Sequence, residues 1–160
     1  MTSPLLVCGI DPGLDGGLTI LNSNRDVVAS IIMPTLPLGK KRILESVRIV
    51  QFLEEHRPHH ILLEKVASRP DQSAQSVFTF GYGAGILEGV VAALRIPYTH
   101  VIPQTWMKKV FVGMPKDTNK TSVVFCQQKW PSIDWRASQR ARVPHDGKTD
   151  SACIALSFFL

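Results

Sequence analysis

The stretch "LLVCGIDPGLDGGLTIL", residues 5–21, decides the architecture of this chain. Residues 5–10 form an unbroken apolar run of strand length, and residues 17–21 are typical of an antiparallel partner in a hairpin. Asp11 therefore lies where the first strand ends, directly before a Pro-Gly turn. The Gly-Gly pair that follows allows a second backbone to pass close to whatever Asp11 holds. A turn aspartate that bonds only its own loop explains this stretch equally well.

The composition indicates one globular domain, which we place at residues 1–160. The chain has 160 residues and a hydrophobic fraction of 44%, enough to build a core without disulfides. No apolar run reaches the length of a membrane span and no signal segment begins the chain, so we expect no membrane partner and a protein that stays where it is made. Cys8, Cys126 and Cys153 are widely spaced and odd in number, which favours buried thiols in a reducing compartment.

The positive charge is concentrated in one part of the sequence. The net charge is +5 and the pI is about 9.3, values that favour a polyanionic partner. Half of the 18 basic residues fall between 108 and 148: Lys108, Lys109, Lys116, Lys120, Lys129, Arg136, Arg140, Arg142 and Lys148. The tryptophans Trp106, Trp130 and Trp135 lie in or beside the same segment. This combination suits phosphate contact with base stacking, but a solvated basic face with tryptophans in the core fits it equally well.

The next part of the chain predicts a strand, a helix and a second strand. Residues 27–33 are typical of a third strand, followed by a Pro- and Gly-containing connection through residue 39. The recurrence of Ile43, Val47, Val50 and Leu53 predicts an amphipathic helix that ends before Pro58. Residues 60–63 then form a short apolar strand that ends at Glu64, so a second carboxylate lies at a strand end.

A long helix is predicted over residues 73–94. Its apolar seam consists of Val77, Phe80, Ala84, Leu87, Val91 and Leu94. The same helix contains Gly81, Gly83, Gly85 and Gly89. Each glycine costs roughly 1 kcal/mol relative to alanine in a helix, so this density suggests close approach by another backbone. That backbone belongs either to the sheet of the same chain or to a second subunit.

The last third of the chain predicts one more strand and three helices. Residues 98–102 form the fifth strand, and Pro103 begins a short helix that extends through Trp106. Residues 118–129 are predicted to be helical, and 130–144 to form a polar, basic and mobile segment. The final "HDGKTDSACIALSFFL" predicts a helix that packs on the sheet through Cys153, Ile154, Leu156 and Phe159.

Four acidic residues stand at positions that can converge. Asp11 and Glu64 end strands, and Asp146 and Asp150 share one side of the last helix because they are four residues apart. Together they would repel one another unless a divalent cation lay between them. Carboxylate oxygens suit Mg²⁺ or Mn²⁺, and two such ions held about 4 Å apart can activate a water and stabilise a leaving oxygen. Each acid taken singly is explained by a helix cap or a surface charge.

Five segments together resemble the RuvC family of Holliday-junction resolvases, especially its small bacteriophage-type members. They are "GIDPG", "LEK", "DQSAQSVFTFGYGAGILEG", "VIPQTWMKKVF" and "HDGKTDSACIAL", in this order along nearly the whole chain. The resemblance implies an α/β fold of the ribonuclease H-like type, with a mixed five-stranded sheet flanked by helices. It also implies a homodimer in the cytoplasm of a bacterial or phage-infected cell.

The resemblance further implies an enzyme that resolves four-way DNA junctions by two symmetric nicks and leaves 5′-phosphate ends. It implies two Mg²⁺ ions per active site, with Mn²⁺ able to substitute, held by Asp11, Glu64, Asp146 and Asp150. Lys108 or Lys109, and Lys120, resemble basic residues that meet the scissile region, and we assign catalytic roles to Lys108 and Lys120. The predicted DNA-binding residues are Arg69, Phe78, Lys108, Lys109, Lys116, Lys120, Arg136, Arg140, Arg142 and Lys148.

The sequence departs from the family pattern at two places. The best-studied cellular members separate the last two ligands by three residues, whereas Asp146 and Asp150 are four apart, which makes His145 a rival ligand. Cellular members also carry an aromatic residue after the strand-end glutamate. This chain has Lys65-Val66-Ala67 there, which leaves Phe78 and Phe80 as candidates for stacking.

Two other functions account for parts of the same sequence. An actin-like ATP-binding phosphotransferase places a similar Asp-Gly turn in the same kind of sheet, but it requires a second, duplicated domain for which 160 residues are too few. A non-catalytic protein that binds branched DNA, with acids that only cap helices, accounts for the same residues without any chemistry.

Overall fold

The computed structural model describes residues 4–65, 67, 70–114 and 121–160. Five strands form the main sheet, in the order β3-β2-β1-β6-β7. They are β1 (Leu6–Asp11), β2 (Gly17–Asn22), β3 (Val27–Ile32), β6 (His60–Glu64) and β7 (Tyr98–Val101); β4 (Thr35–Leu38) and β5 (Lys41–Leu44) form a separate hairpin. The strands β1, β2 and β3 are antiparallel, whereas β6 and β7 run parallel to β1. The predicted α/β fold with a mixed five-stranded sheet is confirmed.

Helices cover both faces of this sheet. They are α1 (Ser46–His56), α2 (Ala74–Ala93), α3 (Pro103–Val110), α4 (Thr121–Lys129) and α5 (Asp146–Leu156), followed by a 3-10 turn at Ser157–Phe159. One core joins α1 and α2 to the sheet through residues such as Ile49, Leu53 and Leu87. The other joins α3, α4 and α5 to the opposite face through residues such as Trp106, Cys126 and Ile154. The chain is therefore a three-layer structure with the sheet in the middle.

Helix α5 packs directly on β1 and β2 because glycines face each other there. A Cβ atom on Gly9 would collide with the backbone of Ser151 and Ala155, and one on Gly17 with the backbone of Gly147. Where the helix crosses the sheet, the hydroxyl groups of Thr19 and Ser151 are 2.7 Å apart in a buried hydrogen bond. The N-terminus of α5 is thereby held against the end of β1 that carries Asp11.

The connection between β3 and α1 contains two strands that we did not predict. Gly39 has a φ angle of +60°, which allows residues 39 and 40 to form a tight two-residue turn between β4 and β5. Ile43, which we assigned to the amphipathic helix, lies in β5, and α1 begins at Ser46. The error arose because each strand has four residues and one contains a proline, so no clear alternation marks them.

The apolar seams of α1 and α2 also differ from the prediction. In α1, Ile49, Phe52 and Leu53 are buried, whereas Val47 is 64% exposed. In α2, Ser73 is the N-cap and accepts a hydrogen bond from the Ser76 amide, so the helix begins at Ala74, one residue after the predicted start. The buried α2 residues are Gly83, Leu87 and Val91, and the remaining apolar positions are half-buried or exposed.

Much of α2 is apolar without being buried. By length and composition, Ala74–Ala93 could cross a membrane, so our expectation that no apolar run reaches that length is wrong. Only 17% of its most apolar window is buried. Phe78 and Tyr82 are 72% and 57% exposed, and among the described residues no atom apart from the backbone of α2 itself lies within 4 Å of a Cβ built on Gly81, Gly85 or Gly89. These three glycines therefore do not seat α2 on its own sheet.

The tryptophans are packed into the protein, and two of them anchor the segment from residue 130 to 144. Trp106, Trp130 and Trp135 are all at least 92% buried, so the interpretation in which they stack on bases is wrong. Trp130 and Trp135 fix the segment that we predicted to be mobile, and Arg136 forms an antiparallel bridge with Pro144. Helix α3 extends through Val110, beyond the predicted end at Trp106. The three cysteines are free and buried, as predicted.

Candidate active site

Parallel pairing of β1 and β6 places two of the predicted acidic residues side by side. Ile10 in β1 is paired with Leu63 in β6, so the next residue in each strand, Asp11 or Glu64, reaches the same edge of the sheet. Side chains at the carboxyl ends of adjacent parallel strands share one crevice. Both carboxylates are half-buried.

Helix α5 brings the other two acidic residues to this edge. Asp146 is its first residue and is exposed, whereas Asp150 lies one turn later and is half-buried. The close packing of Gly147 against Gly16 and Gly17 holds this turn against the loop that follows Asp11. The structure therefore brings together acids from β1, β6 and α5, as predicted.

The pKa values show that the carboxylates interact. The pKa of Asp11 is raised from 3.8 to about 7. Burial is the main cause, and the charges of Asp150, Glu64 and Asp146 contribute, while a hydrogen bond from the Gly13 backbone opposes the shift. Burial also raises the pKa of Asp150, and the charge of Asp146 adds to this effect. A perturbed cluster of this kind is typical of a functional site.

Trp106 positions the Glu64 side chain. Its Nε1–H donates a hydrogen bond to Glu64 Oε1 over 2.8 Å, from a ring that is 99% buried. Burial raises the pKa of Glu64, the Trp106 hydrogen bond lowers it, and the charge of Asp150 raises it. We did not predict this role from the sequence. The only signal for it was the position of Trp106 in the helix that follows β7, the strand paired with β6.

The donor set fits a hard divalent cation, although the ligands do not form a closed shell. In the part of the chain that the structure describes, no three His, Cys, Asp or Glu side chains are grouped at metal-binding spacing. The crowded acids have raised pKa values, and carboxylate oxygens that repel one another are the ligands that Mg²⁺ and Mn²⁺ prefer. We conclude that the residue types and their common location fit such an ion.

His145 remains a rival of Asp146 for the last ligand position. Its backbone N–H donates to the Trp135 carbonyl over 2.8 Å, which fixes the residue immediately before α5. Its side chain provides no cap for the helix. Its Nδ1 is buried, and among the described residues it has no hydrogen-bond partner.

Several predicted DNA-binding cations are exposed, whereas others are used inside the protein. Lys108, Arg140 and Arg142 are exposed; Lys109 is exposed but donates to the Ser157 carbonyl over 3.4 Å. Arg69, Lys116 and Lys120 lie outside the described residues, as does the start of the helix predicted at residue 118. Lys108 lies on α3, the helix that contributes Trp106, but it is two residues from Trp106 and so does not share its side of the helix.

Arg136 and Lys148 are engaged by their own segment. The Arg136 guanidinium forms a two-pronged ion pair with Asp134, with both N–O distances at 2.8 Å, and holds the pKa of that carboxyl below its usual range. Lys148 Nζ donates to the carbonyls of Asp134 and Arg136 over 2.7 and 3.2 Å, and partial burial lowers its pKa. Both side chains are therefore engaged within the protein, and the Lys148 contacts tie the segment to α5; their predicted role in DNA binding stays a prediction.

Phe78 is exposed as predicted and has an aromatic neighbour that we missed. The rings of Phe78 and Tyr82 are stacked, with centroids 6.2 Å apart and planes 11° from parallel. The signal was present in the sequence, because residues four apart are neighbours on one side of a helix. Phe80, the other candidate, is half-buried and lines the groove beside Asp11.

Comparison with known structures identifies the arrangement of strands and helices. RuvC of T. thermophilus in complex with a Holliday junction substrate matches with a TM-score of 0.68 and 14% identity, over 96% of this chain and 91% of that one. The chain has the ribonuclease H-like fold of the RuvC resolvases. Comparisons of the sequence with protein-family models and with curated proteins give no match.

Two further resolvase structures share the RuvC-like fold. The yeast mitochondrial Holliday junction resolvase Ydc2 matches with a TM-score of 0.58 and 19% identity, over 96% of this chain and 77% of that one. The fowlpox virus Holliday junction resolvase matches with a TM-score of 0.52 and 13% identity, over 97% and 98% of the two chains. The likeness thus covers nearly the whole chain, although few residues are identical.

The acidic site predicts an unusual dependence of stability on pH. The pKa of Asp11 in the folded protein, about 7, exceeds its ordinary value of 3.8. Without divalent metal, the contribution of protonated Asp11 to the free energy of unfolding is therefore full below about pH 4. It is lost as the pH rises to about 7. We expect Asp11→Asn to remove this loss, so that the variant exceeds the wild type most clearly at and above pH 7. Urea unfolding in a chelator measures this, with exposed Asp71→Asn as the control.

The Trp106 hydrogen bond makes a second prediction. Because Trp106 stabilises the ionised form of Glu64, Trp106→Phe is expected to raise the Glu64 pKa further. Titration of the Glu64 side-chain carbon by NMR measures the shift. The matched control is Trp130→Phe, whose Nε1–H donates to the Arg25 carbonyl and not to an acidic residue. An unchanged Glu64 pKa in Trp106→Phe would contradict the positioning role.

Proposed function

We propose that this chain is a metal-dependent endonuclease that resolves four-way DNA junctions by two symmetric nicks and leaves 5′-phosphate ends. The supporting observation is the meeting of Asp11, Glu64, Asp146 and Asp150 at one edge of a RuvC-like sheet, where three of them have raised pKa values. Structures of RuvC and of the fowlpox virus resolvase have been determined with Holliday junction DNA, which supports a branched substrate. We further propose a bacteriophage-type protein that acts in the cytoplasm of a bacterial cell.

The proposed cofactor is Mg²⁺, two per active site, with Mn²⁺ as a substitute. Asp11, Glu64, Asp150 and Asp146 would hold the ions, with His145 as the alternative to Asp146. When bound, divalent ions make a water more acidic and offset the charge that a phosphodiester gains in its transition state.

The side chains of the chain itself would set the geometry of the reaction. Trp106 keeps one Glu64 oxygen in a fixed direction through its 2.8 Å hydrogen bond, and the packing of α5 on β1 fixes Asp150 relative to Asp11. Lys108, and Lys120 if it lies near the site, would provide positive charge toward the phosphate. Mispositioning a carboxylate by a small distance reduces the rate strongly because orientation contributes much of the catalysis.

DNA would approach the exposed cations beside α5 and the aromatic pair on α2. Arg140 and Arg142 lie in the loop that the Arg136–Pro144 bridge closes, and Pro144 is two residues before Asp146, so phosphate contacts there would place the backbone near the acids. Phe78 and Tyr82 present flat, exposed rings, which suit stacking on bases that are unpaired at a branch.

We also propose a homodimer through α2. Gly81, Gly85 and Gly89 lie on a part of the helix that the protomer leaves open, and the helix is too apolar to remain exposed at little cost. A symmetric junction needs two active sites, which a two-fold axis would provide.

The experiment that tests the function is cleavage of a synthetic four-way junction with and without Mg²⁺. Two symmetric, metal-dependent nicks with 5′-phosphate ends are expected. Junction binding without cleavage in any divalent metal would instead favour the non-catalytic DNA-binding protein.

Asp150→Asn separates the nuclease from the binding protein. The change removes one ligand charge and nearly preserves the side-chain shape, so cleavage should fall by orders of magnitude. Junction binding should persist or tighten, because a negative charge near a phosphate is removed. Gel-based cleavage and binding assays on the same junction measure both effects. Substantial residual cleavage would contradict the assignment.

The same assay distinguishes the two rival ligands. Asp146 shares one side of α5 with Asp150, whereas His145 precedes the helix. We expect Asp146→Asn to reduce Mg²⁺-dependent cleavage more than His145→Ala does. The reverse order would assign the fourth ligand position to His145.

The dimer proposal predicts that a large side chain on the exposed side of α2 prevents dimer formation. The wild type is expected to sediment as a dimer at micromolar concentration, and Gly85→Leu as a monomer, because the side chain would keep two helices apart. The control Gln51→Leu places a leucine at an exposed position of α1 instead and should remain dimeric. A wild-type monomer with and without DNA would refute the dimer.

A further inference from the structure

The hairpin formed by β4 and β5, residues 35–44, has one face that is anchored to the protein. In its register Leu36 opposes Ile43 and Leu38 opposes Lys41, while Thr35 and Pro37 oppose Leu44 and Arg42. Alternation along the strands separates these pairs onto two faces. Leu44 is 95% buried and packs against Gly83 of α2. The face that contains Leu44 and Arg42 is therefore the inner face.

This inner face places the hairpin beside the acidic site. Arg42 Nη2 lies 2.8 Å from Asp15 Oδ1, in the loop that follows Asp11. A groove of about 500 Å³ is bounded by this loop, by Leu44 and by the N-terminal half of α2, and Asp11 is among the residues that line it. A two-stranded hairpin is marginally stable alone, so these contacts hold it in place at the edge of the groove.

The outer face combines exposed leucines with lysines. Leu36 and Leu38 are 44% and 60% exposed, and Ile43 is half-buried. Lys41 shares this face and Lys40 occupies the turn, and both are exposed. Within the described ranges, neither lysine forms an ion pair. The hairpin thus presents an apolar surface with two free positive charges at its tip.

We propose that the hairpin is a second DNA-contact element, in which Lys40 and Lys41 bind backbone phosphates and Leu36 and Leu38 pack against bases opened at the branch point. The inference rests on the proposed function, because it takes branched DNA as the partner. Charge complementarity favours DNA as the occupant of this face, since two unpaired lysines beside apolar residues suit phosphates next to exposed bases. Exposed leucines commonly act as wedges between base steps in DNA-binding proteins.

The position of the hairpin gives the lysines a clear role. The acids around Asp11 repel the phosphates that must approach them, and the repulsion is strongest where the charges are least screened. Lys40 and Lys41 would offset this repulsion from the hairpin, in addition to the exposed cations of the segment that precedes α5. The strand would then be held by two separate elements of the protein.

The first test measures junction binding over a range of salt concentrations in a chelator, where cleavage plays no part. Binding is expressed as the slope of the logarithm of the association constant against the logarithm of the salt concentration. In Lys40→Gln/Lys41→Gln this slope should become less steep by about two, and binding at low salt should weaken by about tenfold or more. The matched control is Arg57→Gln/Arg95→Gln, which removes two exposed charges at the opposite end of α1 and α2. An unchanged slope in the lysine variant, or an equal change in the control, would overturn the proposal.

The second test concerns the leucines. Leu38→Ser should reduce the preference for a four-way junction over a linear duplex and reduce the fluorescence of 2-aminopurine placed at the crossover, which reports unstacking. Equal preference and fluorescence in the wild type and Leu38→Ser would overturn the wedge. A change in sedimentation with no change in DNA binding would show that a second copy of the chain occupies this face and would also overturn it.

These outcomes are distinct from failure of the proposed nuclease. Wild-type protein that binds the junction with a lysine-dependent slope but never cleaves would refute the nuclease and retain the hairpin contact. Normal cleavage, together with a salt dependence of binding that is the same in the wild type and in Lys40→Gln/Lys41→Gln, would refute the hairpin contact alone.

Discussion

The close packing of α5 on β1 and β2 is the contact on which the rest of the site depends. Asp150 meets Asp11 only because the helix crosses the sheet with no side chain between the backbones, at Gly9, Gly17 and Gly147. The Thr19–Ser151 hydrogen bond fixes the position of the helix along the strand. Since protein interiors are close-packed, a methyl group at this crossing would move the helix and the acids with it.

This packing has an electrostatic cost, because it buries carboxylates close to one another. Burial raises the pKa values of Asp11, Glu64 and Asp150, and their mutual repulsion adds to the effect. Two hydrogen bonds partly offset this cost by stabilising the charged carboxylates: one from Trp106 to Glu64 and one from the Gly13 backbone to Asp11. Local conflict of this kind is expected at sites shaped by function more than by stability. The acids are therefore better explained as a binding site than as four independent helix caps.

The sequence predicted the features that depend on local pattern and missed those that depend on distant partners. Asp11 and Glu64 could be placed because each follows an apolar run of strand length, and parallel strands end at a common edge. The hairpin could not, because β4 and β5 are too short to show an alternation and the burial of Leu44 depends on distant residues such as Gly83. The role of Trp106 depends on a residue 42 positions away. Counting charge along the chain likewise failed to show that Arg136 and Lys148 are engaged internally.

The distribution of positive charge in space therefore differs from its distribution in sequence. Lys148 ties that segment to α5, and Arg136 is paired with Asp134 inside it. Among the described residues, the exposed cations of the basic segment are Lys108, Lys109, Lys129, Arg140 and Arg142. Lys40 and Lys41, which are remote from that segment in sequence, lie at the turn end of the hairpin whose Leu44 lines the groove that opens at Asp11. In the proposed DNA complex, these lysines would add a source of attraction that the basic segment does not supply. Because screened charges act over about 10 Å or less, cations must lie beside the acids to offset their repulsion of phosphate. Arg42 anchors the hairpin to the loop after Asp11 and Leu44 anchors it to α2, so in the proposed complex the hairpin would carry its two lysines toward a strand bound in the groove.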